Sequence, residues 1–301
     1  MTILIAGATG LIGREIVRQC KESGVHVNYL TTSKEKIEKS ATYNGFYWNP
    51  ATAEIDKEAF TDVSAIINLA GATIAKRWTP KYKRTILDSR IQSAEVLFNA
   101  LQSTPHKVNQ YISASGISIY PHSKSKLYSE ESLEIDTSFL AEVVVAWELA
   151  ADAFSGLGIE VAKVRTGVVL ATDDGALREM LKPIKIGLGS VLGDGEQWLS
   201  WIHIEDIARM YLFVLDQHLE GVYNAVAPSP VTNKKITKTI AAILGKSLWL
   251  PSAPAFVIRM VLGEMSTLLL EGQLVCPKKM EAHGFKFHYT NIESALGHLM
   301  R

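Results

Sequence analysis

Apolar and polar positions along this chain follow two alternating rhythms. Short apolar runs recur at residues 2–6, 63–69 and 111–115, the first read as a strand buried on both faces, and residues 25–30 and 160–170 are also strand-like. Between them the spacing becomes helical. Residues 11–20 place Leu11, Ile12, Ile16 and Val17 on one side and stop before Gly24. Residues 80–101 open on Pro80, which suits a first helical turn, and residues 140–154 run out at Gly156 and Gly158. Strand and helix in this alternation predict βαβ units. With right-handed crossovers they give a parallel sheet carrying helices on both faces. The rhythm loosens after about residue 171, where Gly187, Gly189, Gly193 and Gly195 crowd one stretch. A helix over 205–215 and a strand over 221–224 are expected to return to the main sheet, and residues 234–244, 255–262 and the tail read as helical. The expected organisation is a main α/β domain over 1–227, with 171–202 contributing to a smaller, mostly helical lobe completed by 228–301.

The first strand-to-helix turn reads Gly7-Ala8-Thr9-Gly10-Leu11-Ile12-Gly13. Glycine serves three purposes in such a turn: it permits the tight bend, it lets backbone approach a pyrophosphate, and it lets helix and sheet pack closely. The following helix start aims free N–H groups at the phosphates. In this βαβ setting the spacing predicts an NAD(P)-binding Rossmann fold. The end of the second strand should select the cofactor. Here it runs into Leu30-Thr31-Thr32-Ser33-Lys34, with no carboxylate before Glu35. Hydroxyls and Lys34 suit a 2′-phosphate, so NADP is expected, with NAD left open.

Composition narrows the readings. Among 301 residues, 31 Lys and Arg balance 31 Asp and Glu, which argues against binding nucleic acid by counterion release. Two cysteines, Cys20 and Cys276, form no disulfide framework and are expected as buried residues of a cytoplasmic protein. No Cys/His spacing predicts a metal site, and Met1 leads straight into a strand without a leader-like segment. The most apolar late stretch is broken by Arg259 and Glu264, so no membrane association is expected.

GATGLIG, the Asn68-Leu69-Ala70-Gly71 strand end and Ser113-Ala114-Ser115 resemble the extended short-chain dehydrogenase/reductase superfamily, in its NAD-dependent epimerase/dehydratase group. Arg77-Trp78, Asp88-Ser89-Arg90-Ile91, Arg165-Thr166-Gly167-Val168-Val169-Leu170, Ile186-Gly187-Leu188-Gly189, Trp201-Ile202-His203-Ile204-Glu205-Asp206 and Leu269-Leu270-Glu271-Gly272-Gln273 resemble its atypical 39U branch, over essentially the whole chain. The resemblance implies that Gly7, Thr9, Gly10, Leu11, Ile12 and Gly13 cradle the pyrophosphate. Thr31 and Thr32 would lie near the adenosine ribose, Leu69 and Ala70 along the adenosine half, and Thr166 and Val168 beside the nicotinamide. Thr32 stands where many relatives carry an Arg that clamps the 2′-phosphate. Arg90 either contacts the cofactor or pairs with Asp88 or Glu95.

The resemblance also implies a catalytic Ser, Tyr and Lys, the last two as YxxxK, in which Lys and cofactor lower the tyrosine pKa for proton transfer. Ser115 matches the serine. Leu140 and Val144 stand at the Tyr and Lys positions, and neither transfers a proton. Tyr120 and, less directly, Glu142 are the substitutes in sequence. His203 invites a catalytic role, against which stands local hydrogen bonding, with Asp206 capping helix N–H groups. Trp198 and Trp201 are expected beside a substrate cleft or in core. Two functions remain. One is an NADP-linked oxidoreductase or epimerase-like enzyme acting on a small carbonyl or hydroxyl compound. The other is a cofactor-binding sensor or regulatory protein with little turnover. The superfamily's habit of pairing long helices is compatible with a homodimer.

Overall fold

The computed structural model describes residues 1–301. In chain order its strands are β1 (Thr2–Ala6), β2 (His26–Thr31), β3 (Tyr43–Asn49), β4 (Glu54–Ile55), β5 (Val63–Asn68), β6 (Gln110–Gly116), β7 (Leu127–Tyr128), β8 (Glu160–Thr166), β9 (Val168–Leu170), β10 (Trp198–Leu199), β11 (Trp201–His203), β12 (Gly221–Ala225), β13 (Val231–Thr232) and β14 (Leu274–Val275). The helices are α1 (Leu11–Glu22), α2 (Pro80–Gln102), α3 (Phe139–Asp152), α4 (Gly175–Lys185), α5 (Ile204–Asp216), α6 (Asn233–Ile243), α7 (Ala255–Leu262), α8 (Thr267–Leu270), α9 (Lys278–Ala282) and α10 (Ile292–Leu299).

Eight strands form one sheet in the order β12-β8-β6-β5-β1-β2-β3-β4. From β3 through β2, β1 and β5 to β6 every pairing is parallel, and the short β4 runs antiparallel to β3. The chain moves outward from β1 through β2 to β3, then returns to build β5 and β6 on the other side. This reversal at β1 and β5 is the topological switch point of the Rossmann fold, where such sheets bind ligands. β1 is buried along its length except for half-exposed Thr2, as a strand covered on both faces must be.

Two compact units divide the chain. The first comprises residues 1–116, 142–165 and 208–223, and the second 117–141, 166–207 and 224–301. The second unit is nearly as large as the first. The first unit's core joins Leu4, Ile66, Leu97, Leu101, Tyr111 and Phe154, with the Tyr111 and Phe154 rings stacked 3.7 Å apart. The second is built from three two-stranded pairs, β10 with β13, β11 with β9 and β14 with β7. Its core gathers Leu177 and Leu181 from α4, Ile236 and Ile240 from α6, Leu296 from α10, and Trp201.

Three sequence expectations need correction. Residues 160–170 form two strands, because Gly167 ends β8 and β9 then pairs with β11. β3 and α4 were not expected at all. Cys20 is buried as expected, but Cys276 is only partly so, and both thiols are free. No helix is long and apolar enough to cross a membrane.

Candidate functional site

The glycine turn follows β1, in the first unit. Gly7 has φ +86°, a backbone region that side chains rarely tolerate. A Cβ there would lie 3.0 Å from the Leu69 carbonyl carbon and 3.2 Å from Ala70 N, so the loop meets the end of β5 backbone to backbone. A Cβ on Gly13 would lie 2.2 Å from Gly7 O, so only glycine lets α1 begin this close to the loop. Gly10 caps α1 without any side-chain hydrogen bond, and Thr9 and Gly10 are exposed. Leu11 and Ile12 in the first turn are half-buried. The result is a glycine-built hollow at the start of α1, edged by the Arg14 side chain, whose Nη1 donates to Thr9 O at 3.3 Å; its helix-terminal N–H groups suit a dinucleotide diphosphate.

At the end of β2, Thr31 is buried and its Oγ1 accepts from Ser33 N–H at 3.2 Å, while Thr32 is exposed. Ser33 Oγ donates to Glu35 Oε2 at 2.6 Å, and Lys34 Nζ lies 4.9 Å from the Tyr47 ring centroid. Thr32, Lys34, Glu35 and Lys36 are the exposed groups at this strand end.

Asn68 closes β5. Its Nδ2 donates to Ser93 Oγ and Tyr111 Oη, and its Oδ1 accepts from Ala70 N–H, which fixes Leu69 and Ala70 against Gly7. Arg90 on α2 packs next to this loop, its guanidinium carbon 3.2 Å from where a Gly71 Cβ would stand. Its Nη1 donates to Ile86 O at 2.8 Å and Ala72 O at 3.2 Å, and the guanidinium lies 4.8 Å from the Trp147 ring centroid. Arg90 pairs with neither Asp88 nor Glu95, its Nε is buried without a partner, and burial pulls its pKa down to about 10, so it stays charged at neutral pH.

Ser115 near the end of β6 is buried, and its Oγ donates to Glu148 Oε1 at 2.6 Å. Glu148 in turn receives Arg165 Nε at 2.8 Å on Oε1 and Arg165 Nη2 at 2.9 Å on Oε2. Burial works to raise the Glu148 pKa. The Arg165 hydrogen bonds and charge, helped by Ser115 and Lys163, outweigh it and hold the carboxyl below its usual range. Leu140, Val144 and Glu148 are spaced by four, so they share one face of α3. The charged group therefore lies one turn beyond the vacant Lys position. Glu148, Arg165 and Trp147 were missed in the sequence, although this i,i+4 step from Val144 was the available signal.

The other expected residues lie elsewhere. Glu142 is on the exposed face of α3. Tyr120 belongs to the second unit, is fully buried, stacks on Tyr128 at 5.3 Å and donates to Asn224 Oδ1 at 3.0 Å. Acting as a proton donor would break that buried bond, so the geometry counts against it. Thr166 and Val168 are half-buried in the second unit, on either side of Gly167. His203 is fully buried; its Nδ1 accepts from Glu205 N–H at 3.1 Å, its Nε2 lies 3.2 Å from His298 Nδ1, and its ring stacks on Tyr289. Asp206 is fully buried, and its two oxygens accept from His288 and Tyr289 N–H, both at 2.9 Å. Trp201 is core, donating to Ser229 O, while half-buried Trp198 donates to Lys124 O.

Residues 3–226 match the family described as NAD dependent epimerase/dehydratase, and residues 253–299 match a domain of unknown function, DUF1731. An epimerase family protein of Staphylococcus haemolyticus is 36% identical over 99% of this chain and 98% of its own length. The crystal structure of the human epimerase family protein SDR39U1 with NADPH superimposes with a TM-score of 0.85 at 29% identity, covering 99% of both chains. A nucleoside-diphosphate sugar epimerase from Corynebacterium glutamicum gives a TM-score of 0.80 at 28% identity, over 100% of this chain and 58% of that one.

Proposed function

The chain belongs to the NAD dependent epimerase/dehydratase family, and on that premise we propose that it binds NADP(H) in its first unit and acts on a small carbonyl or hydroxyl compound. The observation that carries the reading is the hollow made by Gly7, Gly10 and Gly13, where any added Cβ at Gly7 or Gly13 would collide with backbone. Backbone at Gly7, Thr9, Gly10, Leu11, Ile12 and Gly13 would hold the diphosphate, and Leu69 and Ala70 would flank the adenosine half, with Thr31 and Thr32 at its ribose. Exposed Thr32 and Lys34, with the one nearby carboxylate, Glu35, engaged by Ser33 Oγ, favour the 2′-phosphate. The NADPH bound by the human relative points the same way. Thr166 and Val168 are the proposed neighbours of the nicotinamide.

When bound, the nicotinamide supplies hydride chemistry. The chain's own part centres on Ser115. Its hydroxyl hydrogen goes to Glu148, which leaves the serine oxygen as an acceptor for a substrate hydroxyl. Arg165 keeps the Glu148 carboxylate ionised, so Glu148 orients Ser115 rather than storing a proton.

A second reading is favoured by one observation. Leu140 and Val144 hold the proton-transfer positions of α3, and Tyr120 is committed to Asn224. On that reading the protein binds cofactor but turns over little, as a sensor. Calorimetry on the purified protein tests both: micromolar or tighter NADPH binding, with NADH weaker, is expected. Absence of binding by either dinucleotide would refute both readings. If binding holds, NADPH oxidation across a panel of small carbonyl compounds separates enzyme from sensor, and Ser115→Ala should remove any turnover found.

A further inference from the structure

Residues 71–87 hold five cations, Lys76, Arg77, Lys81, Lys83 and Arg84, and no Asp or Glu, in a chain that balances 31 cations with 31 anions. Arg77 and Trp78 are among the residues that carry the family resemblance, and the cofactor reading gives them no task. They lie in the loop 72–79 between β5 and α2, within the first unit. Lys76, Arg77, Lys81 and Arg84 are exposed, and no carboxylate pairs with any of the four.

Exposed loops are ordinarily mobile, yet side chains pin this one along its length. Ala72 N–H donates to Ser89 Oγ at 2.9 Å, and Ala75 N–H to Thr73 Oγ1 at 3.2 Å. Two aromatics are spent on loop carbonyls: Trp78 Nε1 donates to Ile74 O at 2.9 Å, and Tyr82 Oη to Thr73 O at 2.6 Å. Thr79 Oγ1 caps α2 by accepting from Tyr82 N–H at 3.1 Å. Lys76 and Arg77 stand between these pins. The Arg77 carbonyl accepts from Thr79 N–H at 3.0 Å, and Lys76 Nζ lies 5.9 Å from the Tyr82 ring centroid. The backbone carrying both cations is therefore fixed before a ligand arrives, which lowers the entropic cost of binding one.

The place of the loop indicates what it meets. β5 ends at the switch point of the sheet, and sheets of this kind bind ligands beyond the carboxyl ends of their strands. The loop leaves that end directly. Leu69 and Ala70 are the residues whose backbone would come within 3.0–3.2 Å of a Cβ on Gly7, and Ala72 follows two residues later. Resting on the cofactor reading above, we propose that Arg77, with Lys76 beside it, binds an anionic group of the substrate, a phosphate or a carboxylate. The small carbonyl or hydroxyl compound is then itself an oxyanion. A guanidinium receives two oxygens of either group side-on, and the Lys76 ammonium adds a point charge.

Nuclear magnetic resonance titration of the NADPH-saturated protein with inorganic phosphate, and separately with acetate, tests this at constant ionic strength. In wild type the backbone amides of residues 75–78 should shift saturably with at least one anion, and the tighter of the two names the substrate's group. Arg77→Gln should weaken that anion roughly tenfold or more, and Arg77→Lys, which keeps the charge but loses the fork, should fall between. Arg84→Gln, which removes a charge from α2 outside the loop, should weaken it less than about twofold. Unshifted amides along β1 and β5 check that each variant is folded. No saturable shift with either anion, or an equal loss for Arg84→Gln, would overturn the proposal in favour of cations that are only solvated. Phosphate binding that NADPH abolishes would overturn it too, because the anion would then occupy the cofactor's own site. Wild type that binds no NADPH would refute the cofactor reading, and the proposal resting on it, by an outcome distinct from these.

Discussion

Glu148 shows how much one side chain can decide. With 10% of its side chain exposed, it faces an equally buried Arg165 and takes the Ser115 hydroxyl hydrogen. Removing one partner of such a pair leaves a lone buried charge, so Glu148→Gln should cost roughly 3–5 kcal/mol in urea unfolding at neutral pH. The sign with pH follows from its depressed pKa. The stabilisation is complete above the unfolded carboxyl value of about 4.3 and disappears as pH falls through the lower folded value. The gap between wild type and variant should therefore close in acid, below about pH 4. A gap that persists there would assign the effect to packing. Gly13 is the second such residue. Alanine would set a methyl 2.2 Å from Gly7 O, so Gly13→Ala should cost roughly 1–3 kcal/mol and weaken NADPH at least about tenfold. Unchanged NADPH affinity would mean that the hollow is not the diphosphate site. The glycines were legible because their role is local. Glu148, on α3, was not, because its meaning depends on Arg165, which belongs to β8.

At the scale of elements, the legible ones follow a simple period. β1 and α7 have the bounds read from their apolar patterns, and α2 begins at the proline that announced it. β3 escaped because Asn44 and Gly45 look like a turn. Gly45 is there because a Cβ would come 2.6 Å from the Tyr29 ring. α4 escaped because Gly175 and Pro183 flank a good apolar stripe, and Pro183 is tolerated in its last turn. The break at Gly167 was hidden because residues on both its sides are strand-like. A Cβ there would lie 2.3 Å from Ser200 O, so the strand must change partners at that point. Asp206 gives this scale a test. It holds two consecutive backbone N–H groups of the tail, and asparagine can accept from only one of them. Asp206→Asn should lower stability by about 1.5–3 kcal/mol and speed hydrogen exchange at His288 and Tyr289 while β1 and β5 keep their protection. Equal protection at those two amides in wild type and variant would show that the tail is held by its apolar contacts alone.

For the whole molecule, the balance of 31 cations and 31 anions acquires a consequence. Which segments join which unit was not legible, since that is decided by long-range contacts such as β9 with β11, but the charge balance was, and it limits how an anionic cofactor can be attracted. A neutral chain offers no broad positive field, so affinity must come from short-range donors: the N–H groups at the start of α1, Arg90 and the cations near β2. Interactions beyond a Debye length, about 10 Å at 0.1 M salt, are screened, whereas contacts with partly buried groups are screened much less. NADPH affinity should therefore fall by no more than about threefold between 50 and 200 mM salt, far less than for a ligand drawn by many surface cations. NADH should show a shallower dependence still, because it lacks the one phosphate assigned to an exposed strand end. Titrations of both cofactors across that salt range check the argument. A steep dependence shared by both would mean that surface lysines, rather than the hollow and Arg90, carry the binding.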